Sequence, residues 1–209
     1  MSWDKGKQES RNKFKNINEE ILAIEDEYIE EEQAKILLYK FLRQNPSFAT
    51  EMLTGVRLFP FQHIAIKSMM ETDYFLGIWS RGMSKSFSTA VFALLDAVMN
   101  QGVHIGIISK SFRQSKMIFT KMEEIVRSPK AALLAQCVTR ISKANDQWVM
   151  EIGTSKITAL PLGDGEKLRG FRFERMIIDE LLLMPEKVLN EVIMPFLSVI
   201  KNPTERQET

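Results

Sequence analysis

The chain has 209 residues, 44% of them apolar and 26% charged, a globular composition with enough apolar mass for one sizeable core. Its formal net charge is +1, so a contact with nucleic acid would have to rest on a local basic stripe rather than on global charge. The single cysteine, Cys137, excludes an internal disulfide. With only His63 and His104 beside it, no zinc constellation is available.

Residues 1–16 are polar and basic and read as an arm. They lack the apolar core of an export signal, and no run anywhere approaches the ~20 apolar residues of a membrane span. A cytoplasmic setting is therefore expected. From Ile17 to about Leu42, apolar residues (Ile17, Ile21, Ile24, Tyr28, Ala34, Leu38, Phe41) recur near helical spacing. The acidic run "EDEYIEEEQ" on this stretch reads as a solvated face, with an acidic docking surface as the alternative. "NPSFATEML" restarts a short helix at Pro46, and "LFPFQHIAIKSMMET" gives another near Pro60.

The pattern then changes. "YFLGIWS" is an apolar run ended by a loop and followed by the helix "KSFSTAVFALLDAVMNQG". "VHIGIIS" is a second apolar run, followed by "SFRQSKMIFTKMEEIVRS". Strand, loop, helix, strand, helix is the order of parallel β-α-β units buried on both faces. "SPKAALLAQCV" predicts a short helix. Residues 138–162 alternate as antiparallel strands with turns at "KAND" and "GTSK". After "GDGEKLRGFRF" come a buried strand, "RMIIDE", and a helix, "PEKVLNEVIMPFLSVI".

Residues 79–86, "WSRGMSKS", resemble a phosphate-binding loop written G-x-x-x-x-G-K-[ST], with Trp79 and Ser84 in the two glycine positions. The flanking strand and helix supply the expected context, because a helix's free N–H groups and dipole bind anions. Lys85 would reach the β- and γ-phosphates, and the Ser86 hydroxyl would ligate Mg²⁺. The alternative is an N-capped helix with a surface lysine. "RMIIDE" decides between them by ending a buried strand with two carboxylates. Asp179 can hold Mg²⁺ and Glu180 can orient and deprotonate water. Upstream, the Gln62 amide between Phe59, Pro60, Phe61 and the helix has the donor and acceptor that an adenine edge needs.

In the order "LFPFQ", "SRGMSKS", "GEKLRGFRFERMIIDE", the sequence resembles the ATPase domain of the large terminase subunit, the DNA-packaging motor of tailed bacteriophages. The resemblance covers roughly Phe59 to Phe196 and implies an α/β P-loop NTPase of RecA-like type, with a largely parallel sheet preceded by N-terminal helices. It implies 1–58 as arm and helices and 59–209 as the ATPase domain. By the same resemblance Gln62 reads adenine, and Ser80, Arg81, Gly82, Met83, Ser84, Lys85 and Ser86 form the loop (Walker A). Arg81 senses or stabilises the γ-phosphate, Asp179 serves Mg²⁺ (Walker B), and Glu180 is the catalytic carboxylate. ATP and Mg²⁺ are the implied cofactors. Double-stranded DNA, the portal protein and procapsid, the small terminase subunit and a homo-oligomeric ring are the implied partners, in the host cytoplasm and without a membrane.

The family's coupling motif and its nuclease carboxylates are not found, so the chain is expected to be an N-terminal piece without DNA-cutting activity. Asp146, Glu151 and Asp164 read as surface charges. Lys110, Arg113, Lys116, Lys121, Lys167, Arg169 and Arg172 are the basic residues on offer for DNA phosphates or a trans-acting finger. A helicase-like superfamily 2 ATPase has the same strand and acid order, and a non-catalytic assembly module is a further alternative.

Overall fold

The structure is a computed structural model describing residues 30–163, 165, 168 and 170–197. The chain forms two compact units, residues 1–42 and 43–209. The helical pattern of the first stretch is realised as α1 (30–44), which carries Glu30, Glu31 and Glu32 of the acidic run, while residues 1–29, with the other half of its acids, lie outside the described residues.

In the second unit, α2 (Pro46–Thr54) and α3 (Pro60–Glu71) both begin on proline, whose fixed φ and missing N–H suit a first helical turn. Gly55 ends α2 at φ 68°, where its N–H closes on the Glu51 carbonyl. Ser47 Oγ lies 2.7 Å from His63 Nδ1 and ties the two helices together. Helix α2 packs on α3 and α4, so it belongs to the same unit as the segments after residue 59.

Helix α4 (Lys85–Met99) leads into β1 (His104–Ser109), and α5 (Phe112–Val126) follows. After a 3-10 turn at Pro129–Ala131 come α6 (Ala132–Cys137), β2 (Val138–Lys143), β3 (Trp148–Ile152), β4 (Ser155–Pro161) and β5 (Arg175–Asp179). The sheet order is β2-β3-β4-β1-β5. Strands β4, β1 and β5 are parallel, and β2 and β3 extend the sheet as antiparallel partners of β4. The antiparallel reading of 138–162 therefore holds. Its turns fall where expected, with the Ala144 N–H on the Gln147 carbonyl and Gly153 at φ 56°.

Strand alternation sorts the core into two layers. Helices α4 and α5 pack on each other and on β1 and β4. Gly106 and Ile108 point to the opposite face, where a Cβ on Gly106 would come within 2.9 Å of the Phe173 ring. On that face Ile108, Leu160, Leu162, Leu168, Phe173 and Val192 form one apolar cluster. Each such side chain contributes about 1.5–3 kcal/mol by leaving water. The segment "LRGFRF" is thus anchored by Leu168 and Phe173, which fixes the chain just before β5.

A buried charge pair sets the relation of β5 to α4. Arg175 Nε donates to Asp96 Oδ2 at 3.1 Å, and Asn100 Nδ2 donates to Asp96 Oδ1 at 2.6 Å. Burial pushes the Asp96 carboxyl above its ordinary range, against the pull of Arg175, Asn100 and Arg43. From Asp96 back to Lys85, α4 runs roughly 16 Å at its helical rise, and β5 runs roughly 13 Å from Arg175 to Asp179. A pair fixed at one end therefore brings the other two residues level.

One expectation is corrected. "YFLGIWS" is not a buried strand: residues 74–80 form no strand, Leu76 is 73% exposed and Ile78 94% exposed. An apolar run becomes a strand only by pairing, and among the described residues nothing pairs with this one. The helix expected after β5 is present, running without interruption from Glu186 to Leu197 with a π-helical turn inside it. A 3-10 turn at Leu181–Leu183 precedes it, and its parts are α7 (Glu186–Val188), the π-helical turn at Leu189–Ile193 and α8 (Met194–Leu197). Pro185 stands at the start of this helix, where its missing N–H costs no intrahelical bond.

Candidate active site

The carboxyl ends of β1, β4 and β5 lie along one rim of the sheet, with Ser109 opposite both Pro161 and Asp179. Since α4 runs back into β1, its N-terminus lies at that same rim. Open α/β sheets bind ligands there, because helix N-termini and loops converge at the strand ends.

The loop before α4 folds as a turn, with the Met83 N–H on the Ser80 carbonyl at 3.3 Å. Gly82 sits at φ 81° and Ser84 at φ 55°. Ser84 occupies a position where phosphate loops carry glycine, and it adopts the left-handed conformation for which glycine is suited. For an L-residue this costs about 1–2 kcal/mol, and such strain persists where surroundings over-determine it, often at functional sites. The Ser84 side chain makes no capping hydrogen bond to α4. The first-turn N–H groups of α4 are therefore left for an anion.

Lys85 and Asp179 meet. Lys85 Nζ is 2.7 Å from Asp179 Oδ1, with the lysine side chain 38% exposed and the aspartate 12%. The loop lysine and the first acid of "RMIIDE", far apart in sequence, share one site. Ser86, next along α4, is half-buried, and Arg81 is exposed in the turn and forms no ion pair among the described residues. Glu180 follows Asp179 with its own left-handed backbone, φ 56°, and its carbonyl accepts the Leu183 N–H at 2.9 Å. The Glu180 carboxylate accepts a hydrogen bond from Gln114 Nε2, a contact that no sequence motif announced.

Other expected residues have partners of their own or stand exposed. Gln62 is buried in the first turn of α3, where its Oε1 accepts the Phe59 N–H at 2.9 Å. The amide oxygen that an adenine edge would need is thus engaged in holding α3. Lys116 lies over the rings of Phe112 (4.1 Å) and Trp148 (4.8 Å), and Lys121 pairs with Glu124. Lys110, Arg113 and Arg172 are exposed. Lys167, Arg169 and Asp164 lie outside the described residues. Asp146 is exposed on the β2–β3 turn, and Glu151 stands opposite Arg140 and Lys156 in the sheet, as surface charges do. No group of three or more His, Cys, Asp or Glu residues fit to hold a metal occurs among the described residues. No described helix is long and apolar enough to cross a membrane.

A uncapped helix N-terminus, its lysine and an acidic strand end meeting at the rim of a largely parallel sheet define a P-loop α/β fold. The sequence narrows this further. Residues 77–195, more than half of the chain, match the family described as "Terminase large subunit, T4likevirus-type, N-terminal", and the chain belongs to that family. The helicase alternative is thereby set aside. Among solved structures, the ATPase domain of the large terminase of Thermus phage P74-26 is similar, with a TM-score of 0.60 and 22% identity. The match covers 74% of this chain and 65% of that one. An arginine-to-alanine mutant of the same domain gives a TM-score of 0.59 at 21% identity, covering 74% of this chain and 66% of that one. At these identities the likeness is one of fold. No curated protein sequence matches significantly.

Proposed function

We propose that this chain binds and hydrolyses ATP, as the motor portion of a terminase large subunit that drives viral DNA into a procapsid in the host cytoplasm. The observation that carries the reading is the 2.7 Å contact between Lys85 and Asp179. It joins the two halves of a phosphate-transfer site that the sequence holds far apart.

Lys85 is the cation for the β- and γ-phosphate oxygens, beside the open N–H groups of α4. The oxygen donors present, the Ser86 hydroxyl and the Asp179 carboxylate, suit a hard cation. Mg²⁺ held by these two residues would neutralise charge on the phosphate oxygens. Glu180 orients the attacking water and takes its proton, which assists attack by raising the nucleophile's charge as the bond forms. Arg81 offers a guanidinium for the negative charge that builds on the transferred phosphoryl group. With its Oε1 taken by the Phe59 N–H, Gln62 holds the first turn of α3, and only its Nε2 is left to offer an adenine edge. Exposed basic residues such as Lys110, Arg113 and Arg172 serve DNA phosphates or a neighbouring subunit in a ring, with the portal protein and small terminase subunit as partners.

The test is Glu180→Gln, which keeps the shape and removes the base. Turnover should fall about 10²-fold or more, while MgATP binding persists. Turnover near the parental rate would remove Glu180 from the chemistry.

A further inference from the structure

We propose that Gln114 is a positioning residue for Glu180, holding its carboxylate from the first turn of α5; this rests on the reading of Glu180 as the base. The placement follows from the topology. Strands β1 and β5 are in register to their ends, Ser109 opposite Asp179, and α5 begins three residues after Ser109. The first turn of α5 therefore stands beside the residue that follows Asp179. Gln114 Nε2 donates to Glu180 Oε2. The other end of the same amide is fixed, since Gln114 Oε1 accepts from Ser111 Oγ at 3.2 Å and from the Ser111 N–H at 3.4 Å.

Both ends of the Gln114 amide are thus committed, and the pairing settles which end is the donor toward Glu180. Glu180 needs such a partner. Its side chain is exposed, so nothing apolar restricts its rotamers, and its backbone is held in the left-handed region. A base acts only from a defined position within hydrogen-bond reach of the water it deprotonates. Helix α5 is itself well anchored, packed on α4, β1 and β4, with the Ser115 Oγ donating to the Leu160 carbonyl at 2.8 Å one residue beyond Gln114. An anchored helix, a doubly bound amide and an exposed carboxylate form a positioning chain.

The variant that separates this role from a structural one is Gln114→Glu. A glutamate keeps the acceptor for Ser111, as N-terminal capping pairs use Glu and Gln alike, but loses the donor to Glu180. Steady-state ATP turnover in the full protein should show kcat lower by about tenfold, the range expected for removing a supporting hydrogen bond, with KM for ATP within about twofold and Tm unchanged. Gln114→Met, which removes the donor without adding charge but also the acceptor for Ser111, carries the same kcat and KM expectation with a slightly lower Tm, and stands alone if the first variant folds poorly. On a Glu180→Gln background neither change should lower turnover further, because a residue acting through Glu180 has nothing left to act on. Parental kcat in both Gln114 variants, with Glu180→Gln inactive, overturns the positioning role and leaves the base intact. Parental turnover in Glu180→Gln overturns both.

Discussion

Two apolar runs in this chain look alike in sequence and end differently in the structure. "RMIID" pairs with β1 along its length and delivers Asp179 and Glu180 to the sheet rim. "YFLGIW", just ahead of the phosphate loop, pairs with nothing among the described residues and leaves Leu76 and Ile78 in water. Composition does not separate them. What does is a neighbouring strand edge: β1 offers one to β5, and Arg175 on Asp96 fixes β5 against α4. The acid side of the site is therefore positioned by the sheet, whereas the lysine side is positioned by α4.

The largest effect on this contrast should come from Asp96→Ala. It leaves Arg175 and Asn100 without their shared buried partner and frees the start of β5 from α4. A loss of about 3 kcal/mol in urea unfolding is expected, and a loss near zero would mean that sheet pairing alone fixes the strand. Next is a matched pair of substitutions. Ile177→Ser, opposite the fully buried Ile107, should cost ~2 kcal/mol, while Ile78→Ser should stay within about 0.5 kcal/mol. Equal costs would show that residues 74–80 are buried in the protein as it folds in solution. A smaller loss than at Ile177 belongs to Gln62→Ala, which removes the acceptor of the Phe59 N–H and should cost ~1 kcal/mol. If Gln62 also reads the base, preference for ATP over GTP should fall by ~1–3 kcal/mol; an unchanged preference leaves it to α3 alone.

Local chemistry made much of this legible. Prolines at 46 and 60 announced α2 and α3, and the strand-helix alternation announced β1, α5 and the parallel core. The dipeptide Asp179-Glu180 after an Ile-Ile run marked the rim of the sheet. What escaped was whatever depends on a distant partner. Periodicity records the preference of "YFLGIWS" for a strand, but not whether an edge exists for it. Gln114 carries only a local signal, its spacing from Ser111, while its contact with Glu180 is created by the register of β1 and β5. Asp96 had a faint signal: a lone acid within the apolar helix "TAVFALLDAVM" needs a buried partner, though not one that sequence could name.

The account's central claim is that Lys85 and Asp179 belong to one nucleotide site. The most direct measurement is equilibrium binding of MgATP to the parental protein and to Lys85→Ala, with thermal unfolding recorded alongside. The Lys85–Asp179 pair is partly exposed and contributes about 0–1 kcal/mol to stability, so unfolding should barely move. Affinity should fall about tenfold or more, since a phosphate-binding lysine is lost. Equal affinity for MgATP in the two proteins would contradict the assignment of this site.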